Sequence, residues 1–387
     1  MGKRIKIGII FSYDENWIGG TYYYLNLIKS LNLLPKNEKP HLVIISNNRS
    51  SFEHIQTLNY PFISYKELVK TQNKFEKIKN RIVKRIFPNR KSVTKSEINF
   101  GIDVLFHPSE LTIPNTVKKH LNWIPDFQEL YLPHFFSKEY LELRKKSQLA
   151  LLSEKSNILF SSQNAYSDFK KIFPEANSKC FVVNFAVFHD DYTSINIYDI
   201  KKKHNINETP YFFSPNQFWQ HKNHIIILKA VKKLKENDKD LNIQILFSGK
   251  EFDHRNPTYF QDLKKFVADH QLHDNIKFLG FIDRAEQLCF MKNSLAIIQP
   301  SLFEGWSSVV EDGKAMNKNI IVSSLDVHKE QLGNKGFYFD PSNEDDLNDK
   351  LILFLQKKID VPKFDYQENL QQFGKQFMKV ITEINSQ

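Results

Sequence analysis

The chain has few cysteines, no long apolar run and no cluster of metal-ligand residues, and each absence excludes a class of protein. Cys180 and Cys289 are too few for a disulfide framework, which favours a reducing compartment. No apolar stretch approaches the about 18 residues that a membrane-spanning helix needs. No zinc finger, RNA-binding signature or helix-turn-helix pattern occurs. We therefore expect a cytoplasmic protein without a signal peptide, a bound metal, a cofactor or a nucleic-acid partner.

Length and composition indicate a globular protein of two ordinary domains. The chain has 387 residues, of which 41% are hydrophobic and 25% charged. One literal D-x-D sequence, Asp238-Lys239-Asp240, follows a predicted helix and precedes a predicted strand. That position favours a turn over a metal site.

The net charge of +10 is concentrated in one segment. The segment Lys66–Lys95 holds eleven Lys or Arg and two Glu, a net charge of +9. Phe75, Ile78, Ile82 and Ile86 recur there at helical spacing. A basic amphipathic helix of this kind can lie on an anionic membrane surface, or its apolar stripe can pack on its own domain. Both interpretations stay open, and the first predicts a peripheral protein on the inner membrane face.

Short apolar runs alternate with amphipathic segments along the whole chain, which predicts parallel βαβ units. The predicted strands are 5–12, 41–46, 103–108, 120–125, 157–162, 211–216, 243–249, 276–281, 295–301 and 319–324. The predicted helices are 21–34, 137–156, 164–174, 223–237, 259–272, 284–293, 345–358, 366–384 and the stretch after Trp306.

The alternation is interrupted once, at a turn-rich stretch near 184–209, which divides the chain. We predict an α/β protein with two Rossmann-like domains whose parallel sheets face a cleft. The first domain is 1–190, the second is 191–365, and 366–387 is a helix that crosses back to the first. Such sheets bind ligands at the carboxyl ends of their strands.

The stretch "PSLFEGWSSVVEDGKAMNKNIIVSS", Pro300 to Ser324, has the order loop, helix, strand and follows an apolar run. Ser307 and Ser308 are natural N-cap residues, and the start of the helix would attract a phosphate. Gly305 permits close approach of a ligand to the backbone. Glu304 and Asp312 can accept hydrogen bonds from hydroxyl groups. One anion site between two hydroxyl acceptors suits a sugar nucleotide, although a capped helix with surface acids has the same pattern.

This stretch resembles the nucleotide-sugar site of retaining glycosyltransferases of family 4 (glycosyl transferases group 1). Their signature has two glutamates separated by seven residues, in a setting that includes Gly305 and the aromatic Trp306. Glu304 takes the first place and Asp312 the second, whereas Glu311 is out of register by one. The resemblance implies that Glu304 contacts the donor sugar and Asp312 the ribose.

Other parts of the chain match the same family in order. "IGIIFSYDENWIGG" resembles its first strand and glycine loop, which places Gly19 and Gly20 at the donor phosphate ahead of a helix. "NQFWQHKNH" resembles its basic loop and contains Asn216, Gln217 and the predicted diphosphate cation Lys222. Gln217 stands where the family has a basic residue, so His221 or Arg255 is the candidate replacement. Gly249, Phe281 and Ile282 fall where the family binds the base.

"WIPDFQELYLPHFFS" resembles the family segment that often begins with His-Asp. Asp126 and Pro133 match, but Pro125 occupies the position of the histidine. Asp126, or Glu129 three residues on, is therefore the candidate group near the reacting centre. His107 and His134 are predicted to be structural.

The resemblance implies the GT-B fold and a retaining, metal-independent hexosyltransferase. It would move a sugar from a nucleotide diphosphate to a hydroxyl acceptor, with catalysis assigned to Asp126, Glu304 and Lys222. A glycan or lipid-linked glycan of cell-surface polysaccharide or lipopolysaccharide is the expected acceptor. Two alternatives remain: a sugar-nucleotide epimerase or phosphorylase on the same fold, and a non-catalytic binding subunit.

Overall fold

The computed structural model describes residues 4–67, 101–108, 117, 119–152 and 156–387. The chain forms two compact units. Unit 1 comprises Met1–Asp126, Lys138–Ala186 and Gln367–Gln387, and unit 2 comprises Phe127–Ser137 and Val187–Tyr366. The basic segment Lys66–Lys95 lies outside the described residues from position 68 onward, so its membrane role stays a prediction.

Every predicted apolar run corresponds to a strand, which confirms the α/β pattern. Strands β3, β7 and β13 occur in addition to the predicted ones. The strands in the described ranges are β1 Lys6–Ile10, β2 His41–Ser46, β3 Ile63–Glu67, β4 Val104–Pro108, β5 His120–Ile124, β6 Asn157–Phe160, β7 Lys179–Val182, β8 Tyr211–Ser214, β9 Gln244–Phe247, β10 Ile276–Phe278, β11 Ile297–Gln299, β12 Ile320–Ser323 and β13 Phe337–Phe339.

The predicted helices are also present, and four shorter ones, α2, α3, α6 and α11, were not predicted. The α-helices of the described ranges are α1 Ile18–Asn32, α2 Arg49–Gln56, α3 Gln128–Tyr131, α4 Lys138–Leu152, α5 Gln163–Ile172, α6 Ile197–Lys203, α7 His224–Asn237, α8 Tyr259–Asp269, α9 Arg284–Asn293, α10 Ser308–Ala315, α11 Asp326–Leu332, α12 Glu344–Gln356 and α13 Tyr366–Asn385. Short 3-10 helices are Glu15–Trp17, Pro133–Phe135, Gln220–Lys222 and Gly333–Lys335.

The turn-rich stretch predicted at 184–209 contains the boundary between the units at Ala186 and Val187, and it also contains the short helix α6. The side chain of Asn196 accepts a hydrogen bond from the backbone N–H of Tyr198 at 3.0 Å and so caps the helix start. Ile200 is buried in the core of unit 2. Capping and one buried side chain thus stabilise a helix of seven residues whose sequence shows little periodicity.

Both sheets are wholly parallel in the described strands and share one strand order. The sheet of unit 1 runs β3-β2-β1-β4-β5-β6-β7, and that of unit 2 runs β10-β9-β8-β11-β12-β13. The first strand of each sheet lies in its middle. Strands are added on one side of it, and the chain then crosses to the other side, where β4 lies beside β1 and β11 beside β8. This is the Rossmann order, in which ligands bind beyond the carboxyl ends of the strands, at the point where the strand order changes direction.

The sheet of unit 2 is buried on both faces. Alternate strand residues such as Phe212 and Ile298 pack against α7, α8 and α12, in one core cluster. Their neighbours, such as Phe213 and Ile297, pack against α6, α9 and α10 in a second cluster. Two-sided burial explains why these strands are continuous apolar runs rather than alternating ones.

The last helix, α13, packs closely on unit 1 from Gln367 onward. The Ser30 hydroxyl donates to the Leu370 carbonyl at 2.5 Å and accepts from the Gly374 N–H at 2.6 Å. A β-carbon on Gly374 would lie 2.8 Å from the Ser30 carbonyl oxygen, so only glycine permits this approach of α13 to α1. The rings of Tyr23 and Phe373 pack edge to face at 5.7 Å.

Candidate functional site

Two loops of unit 2 are joined by hydrogen bonds at the carboxyl ends of β8 and β11. The first contains the 3-10 turn Gln220–Lys222, and the second runs from Pro300 to Glu304. Asn223, with a positive φ of 56°, donates its side-chain amide to the carbonyls of Pro300 at 3.1 Å and Pro341 at 2.9 Å. The N–H of Leu302 donates to the His221 carbonyl at 2.8 Å. These bonds fix Lys222 beside the loop that ends in Glu304.

Lys222 and Glu304 form an ion pair. The Nζ of Lys222 lies 2.6 Å from Oε1 of Glu304, and the two side chains are 16% and 10% exposed. The same Oε1 accepts hydrogen bonds from Gln299 at 2.8 Å and from Ser301 at 2.6 Å. Oε2 has no hydrogen-bond donor within the described part of the chain. The protein thus bonds one oxygen of Glu304, and the described residues leave the other without a hydrogen bond.

Glu304 is a carboxylate at neutral pH despite its burial. Burial alone would raise its pKa, but the charge of Lys222, the nearby His328 and the hydrogen bonds from Lys222 and Ser301 outweigh it and lower the pKa. An ionised acid next to a cation can accept from a sugar hydroxyl and, at the same time, keep the ammonium in place.

The helix start after Glu304 is capped by side chains of the protein. Ser307 is the N-cap residue, and its hydroxyl accepts from the Val310 N–H at 3.3 Å. Gln331 holds Ser307 from both sides, since it accepts from the Ser307 N–H and donates to the Ser307 carbonyl, each at 3.1 Å. Ser308, also predicted as a cap, is instead the first helical residue of α10. Gly305 is buried and Trp306 is half-buried.

Asp312 on α10 is buried and held by two cationic or polar donors. Its Oδ1 accepts from His189 Nε2 at 3.0 Å and from the Arg284 guanidinium. Oδ2 receives no hydrogen bond from any residue that the structure describes. Burial would raise the pKa of Asp312, but Arg284 and His189 more than compensate and lower it. Asp312 therefore repeats the arrangement of Glu304, with one oxygen bound and one left over.

The adjacent acid Glu311 differs, because both of its oxygens are used by the protein. Oε1 accepts from Lys314 at 2.8 Å and from Gln331 at 3.0 Å, and Oε2 accepts from the Tyr366 hydroxyl at 2.8 Å. The side chain is fully buried. Glu311 is therefore a structural acid, and the choice of Asp312 as the ligand-binding one remains a prediction that this geometry favours.

A pair of isosteric variants separates the two acids. Asp312→Asn should weaken nucleotide diphosphate binding about 10-fold or more, because it replaces a charged acceptor by a neutral amide. Glu311→Gln should leave the dissociation constant of the folded protein within about 2-fold and lower its unfolding free energy by about 3 kcal/mol, because Lys314 loses its buried partner. Calorimetric titration together with denaturant unfolding measures both quantities. Equal affinity losses in the two variants would contradict the assignment.

Four predicted donor-binding residues, Asn216, Gly249, Phe281 and Ile282, lie just after the ends of β8, β9 and β10. A β-carbon on Gly249 would lie 2.2 Å from the Asn216 carbonyl oxygen, so only glycine fits there. The Gly249 N–H donates to the Gly280 carbonyl at 2.9 Å, which joins this loop to the one with Phe281 and Ile282. Phe281 is 62% exposed. The role of Gln217 beside Asn216 stays a prediction.

His221 and Arg255, the candidate replacements for a cation at Gln217, form one unit. An N–H of Arg255 donates to His221 Nδ1 at 3.1 Å. Burial, Lys222, Arg255 and His224 keep the His221 pKa well below its ordinary value, so the ring is neutral with its proton on Nε2. Arg255 is already paired with Asp253 at 3.1 Å. His221 therefore offers a neutral N–H donor rather than a second positive charge.

The predicted residues outside this cluster lie in separate places. Gly19 and Gly20 form the first turn of α1 rather than a loop ahead of it, and Gly20 is in contact with the Trp17 ring. Asp126 is half-buried in unit 1, where its carbonyl accepts from Arg144 at 3.2 Å. Glu129 is buried in unit 2. None of these contacts tests a catalytic role.

Sequence reasoning missed five residues that bond to the two acids or lower their pKa: Gln299, Ser301, His328, His189 and Arg284. Gln299 and Ser301 gave a local signal, since they are polar residues at the end of an apolar strand. His328 lies near enough to Glu304 to influence its pKa, yet it is 24 residues away in the chain. His189 and Arg284 reach Asp312 from still greater sequence distances. No local pattern could have revealed these contacts.

The described residues contain neither a candidate metal site nor a helix that could span a membrane. No group of three or more His, Cys, Asp and Glu could hold a metal ion there, and Asp238-Lys239-Asp240 forms a turn in which Asp238 accepts from the Asp240 N–H at 3.1 Å. Within the same ranges no helix is long and apolar enough to cross a membrane. Cys180 and Cys289 are both free thiols.

Part of the chain is similar to a known protein family. Residues 196–377, most of unit 2, match the family model described as "Glycosyl transferases group 1". A curated relative, the O-antigen chain mannosyltransferase RfbU of Salmonella typhimurium, is 25% identical over 248 residues. That alignment covers 64% of this chain, and the chain spans 64% of the length of RfbU.

Solved glycosyltransferases share the fold over nearly the whole chain. A glycosyltransferase from Rickettsia africae has a TM-score of 0.65 and 16% identity, and the match covers 99% of this chain and 94% of that one. HepE of Anabaena, solved with UDP and glucose, has a TM-score of 0.64 and 13% identity, covering 99% and 98%. Two parallel-sheet α/β domains with such neighbours confirm the predicted GT-B fold.

Proposed function

We propose that the protein is a retaining glycosyltransferase that uses a nucleotide diphosphate sugar. The observation that carries this proposal is the Lys222–Glu304 pair, in which Glu304 keeps Oε2 unengaged at the carboxyl ends of β8 and β11. An acceptor for sugar hydroxyls and a cation for a diphosphate are the two groups that this donor requires.

The remaining donor contacts follow from the same part of unit 2. Lys222, the His221 Nε2–H and the start of α10 with Gly305, Ser307 and Ser308 would bind the diphosphate. The loop with Phe281 and Ile282 would hold the base, and Oδ2 of Asp312 would accept from the ribose. The groups that bind the diphosphate would also stabilise the negative charge that develops on it as it leaves, and we propose that they do so without a metal.

The proposed transfer keeps the anomeric configuration. The bond from the sugar C1 to the diphosphate oxygen breaks, and the acceptor oxygen bonds to C1 on the same face. The acceptor proton passes to the departing phosphate oxygen, which becomes the base. Asp126 or Glu129 takes the place near C1 that the family gives to the histidine absent at Pro125.

The acceptor that we propose is a hydroxyl of a glycan or lipid-linked glycan in cell-surface polysaccharide synthesis. The support is the name of RfbU, an O-antigen chain mannosyltransferase. The basic segment Lys66–Lys95 would bring the protein to an anionic membrane surface where such acceptors lie.

Thermal unfolding of the full chain with UDP, GDP, ADP and dTDP tests the donor site. One nucleotide at about 100 times its dissociation constant should add about 2.7 kcal/mol, or about 5–10 °C for a unit of this size. The matching nucleotide sugars, incubated with a candidate glycan, should then yield a glycoside of retained configuration. No shift with any nucleotide would contradict the proposal. A bound donor converted without glycoside formation would favour an epimerase or hydrolase, and a bound but unchanged donor a binding subunit.

A further inference from the structure

The carboxylate of Asp312 is fixed by residues from two distant parts of unit 2. His189 precedes α6, and Arg284 lies in the first turn of α9. Both donate to the same oxygen, Oδ1, while the side chain of Asp312 is only 2% exposed. With Oδ1 held at two points, the carboxylate cannot rotate without breaking an ion pair. The direction of Oδ2 is therefore set by the protein.

Oδ2 of Asp312 receives no hydrogen bond from the described residues, yet it is not one of their buried polar atoms that lack a partner, so it keeps some access to solvent. An ionised carboxylate can accept about four hydrogen bonds. A ligand can therefore reach Oδ2 with O–H donors. The vicinal hydroxyls of a ribose supply two, whereas a 2′-deoxyribose supplies one.

Arg284 is itself held in place. A second guanidinium N–H donates to Gln287 Oε1 at 2.8 Å, one turn further along α9. Its side chain is 23% exposed, so it also borders solvent. Arg284 follows directly on the loop of Phe281 and Ile282, the predicted base contact. The same helix start thus connects the loop for the base with the acid for the ribose.

The side chain at position 312 is short, which makes its orientation depend on its neighbours. Asp312 is one methylene shorter than the glutamate of the family that the chain resembles. A longer acid can reach a ligand by choosing among rotamers, whereas Asp312 has fewer and depends on its neighbours for orientation. His189 and Arg284 supply that orientation.

We propose that Arg284 and His189 are positioning residues that turn Asp312 Oδ2 toward the ribose diol, and that this arrangement makes the protein select ribonucleotide over 2′-deoxyribonucleotide donors. The inference rests on the proposed donor site. The proposed donor site does not by itself require this selectivity, because the roles proposed for Lys222 and Glu304 concern the diphosphate and the sugar.

The test compares UDP, GDP and ADP with their 2′-deoxy counterparts by calorimetric titration of the full chain. The wild-type protein should bind its preferred ribonucleotide about 10-fold more tightly than the deoxy form, the value of one hydrogen bond to a charged group. Arg284→Gln should weaken the ribonucleotide more than the deoxynucleotide, which has only one hydroxyl bond to Oδ2 to lose, so that the ratio falls from about 10 toward 1. Arg284→Lys, which keeps a cation, should restore part of the ratio.

Lys203→Gln is the matched control. Lys203 pairs with Glu286, which lies on α9 as Arg284 does, but the side chain of Lys203 is 57% exposed. This variant should leave both affinities unchanged. An Arg284→Gln variant that weakens both nucleotides equally would show a merely structural role and overturn the proposal. So would a wild-type protein that prefers dTDP or does not discriminate, although nucleotide binding would then still stand. Failure of every nucleotide to bind would instead contradict the proposed function itself.

Discussion

Replacing Glu304 with glutamine should reduce sugar transfer by about 100- to 1,000-fold. Glutamine keeps the shape of the side chain and its acceptor oxygen, but it removes the charge that Lys222, Gln299 and Ser301 share through Oε1. The donor sugar loses a charged acceptor, and Lys222 loses the partner that fixes its Nζ. Initial rates of glycoside formation at saturating donor measure the loss.

A stability measurement distinguishes lost chemistry from lost structure. Glu304→Gln alone should destabilise the protein by about 3 kcal/mol, because Lys222 is left largely buried without a counter-charge. The double variant Glu304→Gln, Lys222→Met should recover much of that stability while remaining inactive. Glu236→Gln is the control, since its pair with Lys232 is exposed and contributes little. Wild-type turnover by Glu304→Gln would refute the role of this acid.

Lowering the pH from 7.5 to 5.5 should destabilise unit 2 by about 4 kcal/mol. Three of its buried histidines have lowered pKa values: His221 well below the ordinary value, His224 about 3 and His328 about 4. Burial is the main cause in each. The unfolded chain takes up protons near its ordinary pKa of about 6.5, while the folded state does not. Each histidine therefore favours unfolding by about 1.4 kcal/mol at pH 5.5.

The sign of the effect separates the histidines from the carboxylates. Stability from the three histidines is full above about pH 6.5 and is lost as the pH falls toward their folded pKa values. Glu304 and Asp312 have lowered pKa values, so their contribution persists above the ordinary pKa and disappears only at lower pH, outside this range. Chemical denaturation at several pH values measures the dependence.

Variants assign the pH dependence to particular side chains. Replacing the buried His328 with asparagine should remove about one third of the change between pH 7.5 and 5.5. Replacing the exposed His273 with glutamine should leave it unaltered. An unfolding free energy that is constant over this range would contradict neutral burial of all three rings.

The sequence predicted the architecture because two-sided burial leaves a local record. A strand covered by helices on both faces must be apolar at every position, as in β8, and such runs are visible without a structure. The strands missed were β3, β7 and β13, each at the edge of its sheet. Edge strands are less buried: β3 and β7 include exposed or charged residues, and the apolar run of β13 is only three residues long.

In the candidate site, too, adjacent residues predicted some features and only tertiary contacts decided others. The sequence determined the helix start with Glu304, Gly305 and Ser307, because loop chemistry and capping depend on adjacent residues. Register in the resembling family favoured Asp312 over its neighbour Glu311, but the two acids share a helix and a charge, so the residues themselves gave no physical reason for that choice. The tertiary structure distinguishes them through Tyr366, Gln331, His189 and Arg284, residues brought from distant positions. Whether a carboxylate keeps an oxygen for a ligand depends on which donors the fold places around it, and no local pattern encodes that.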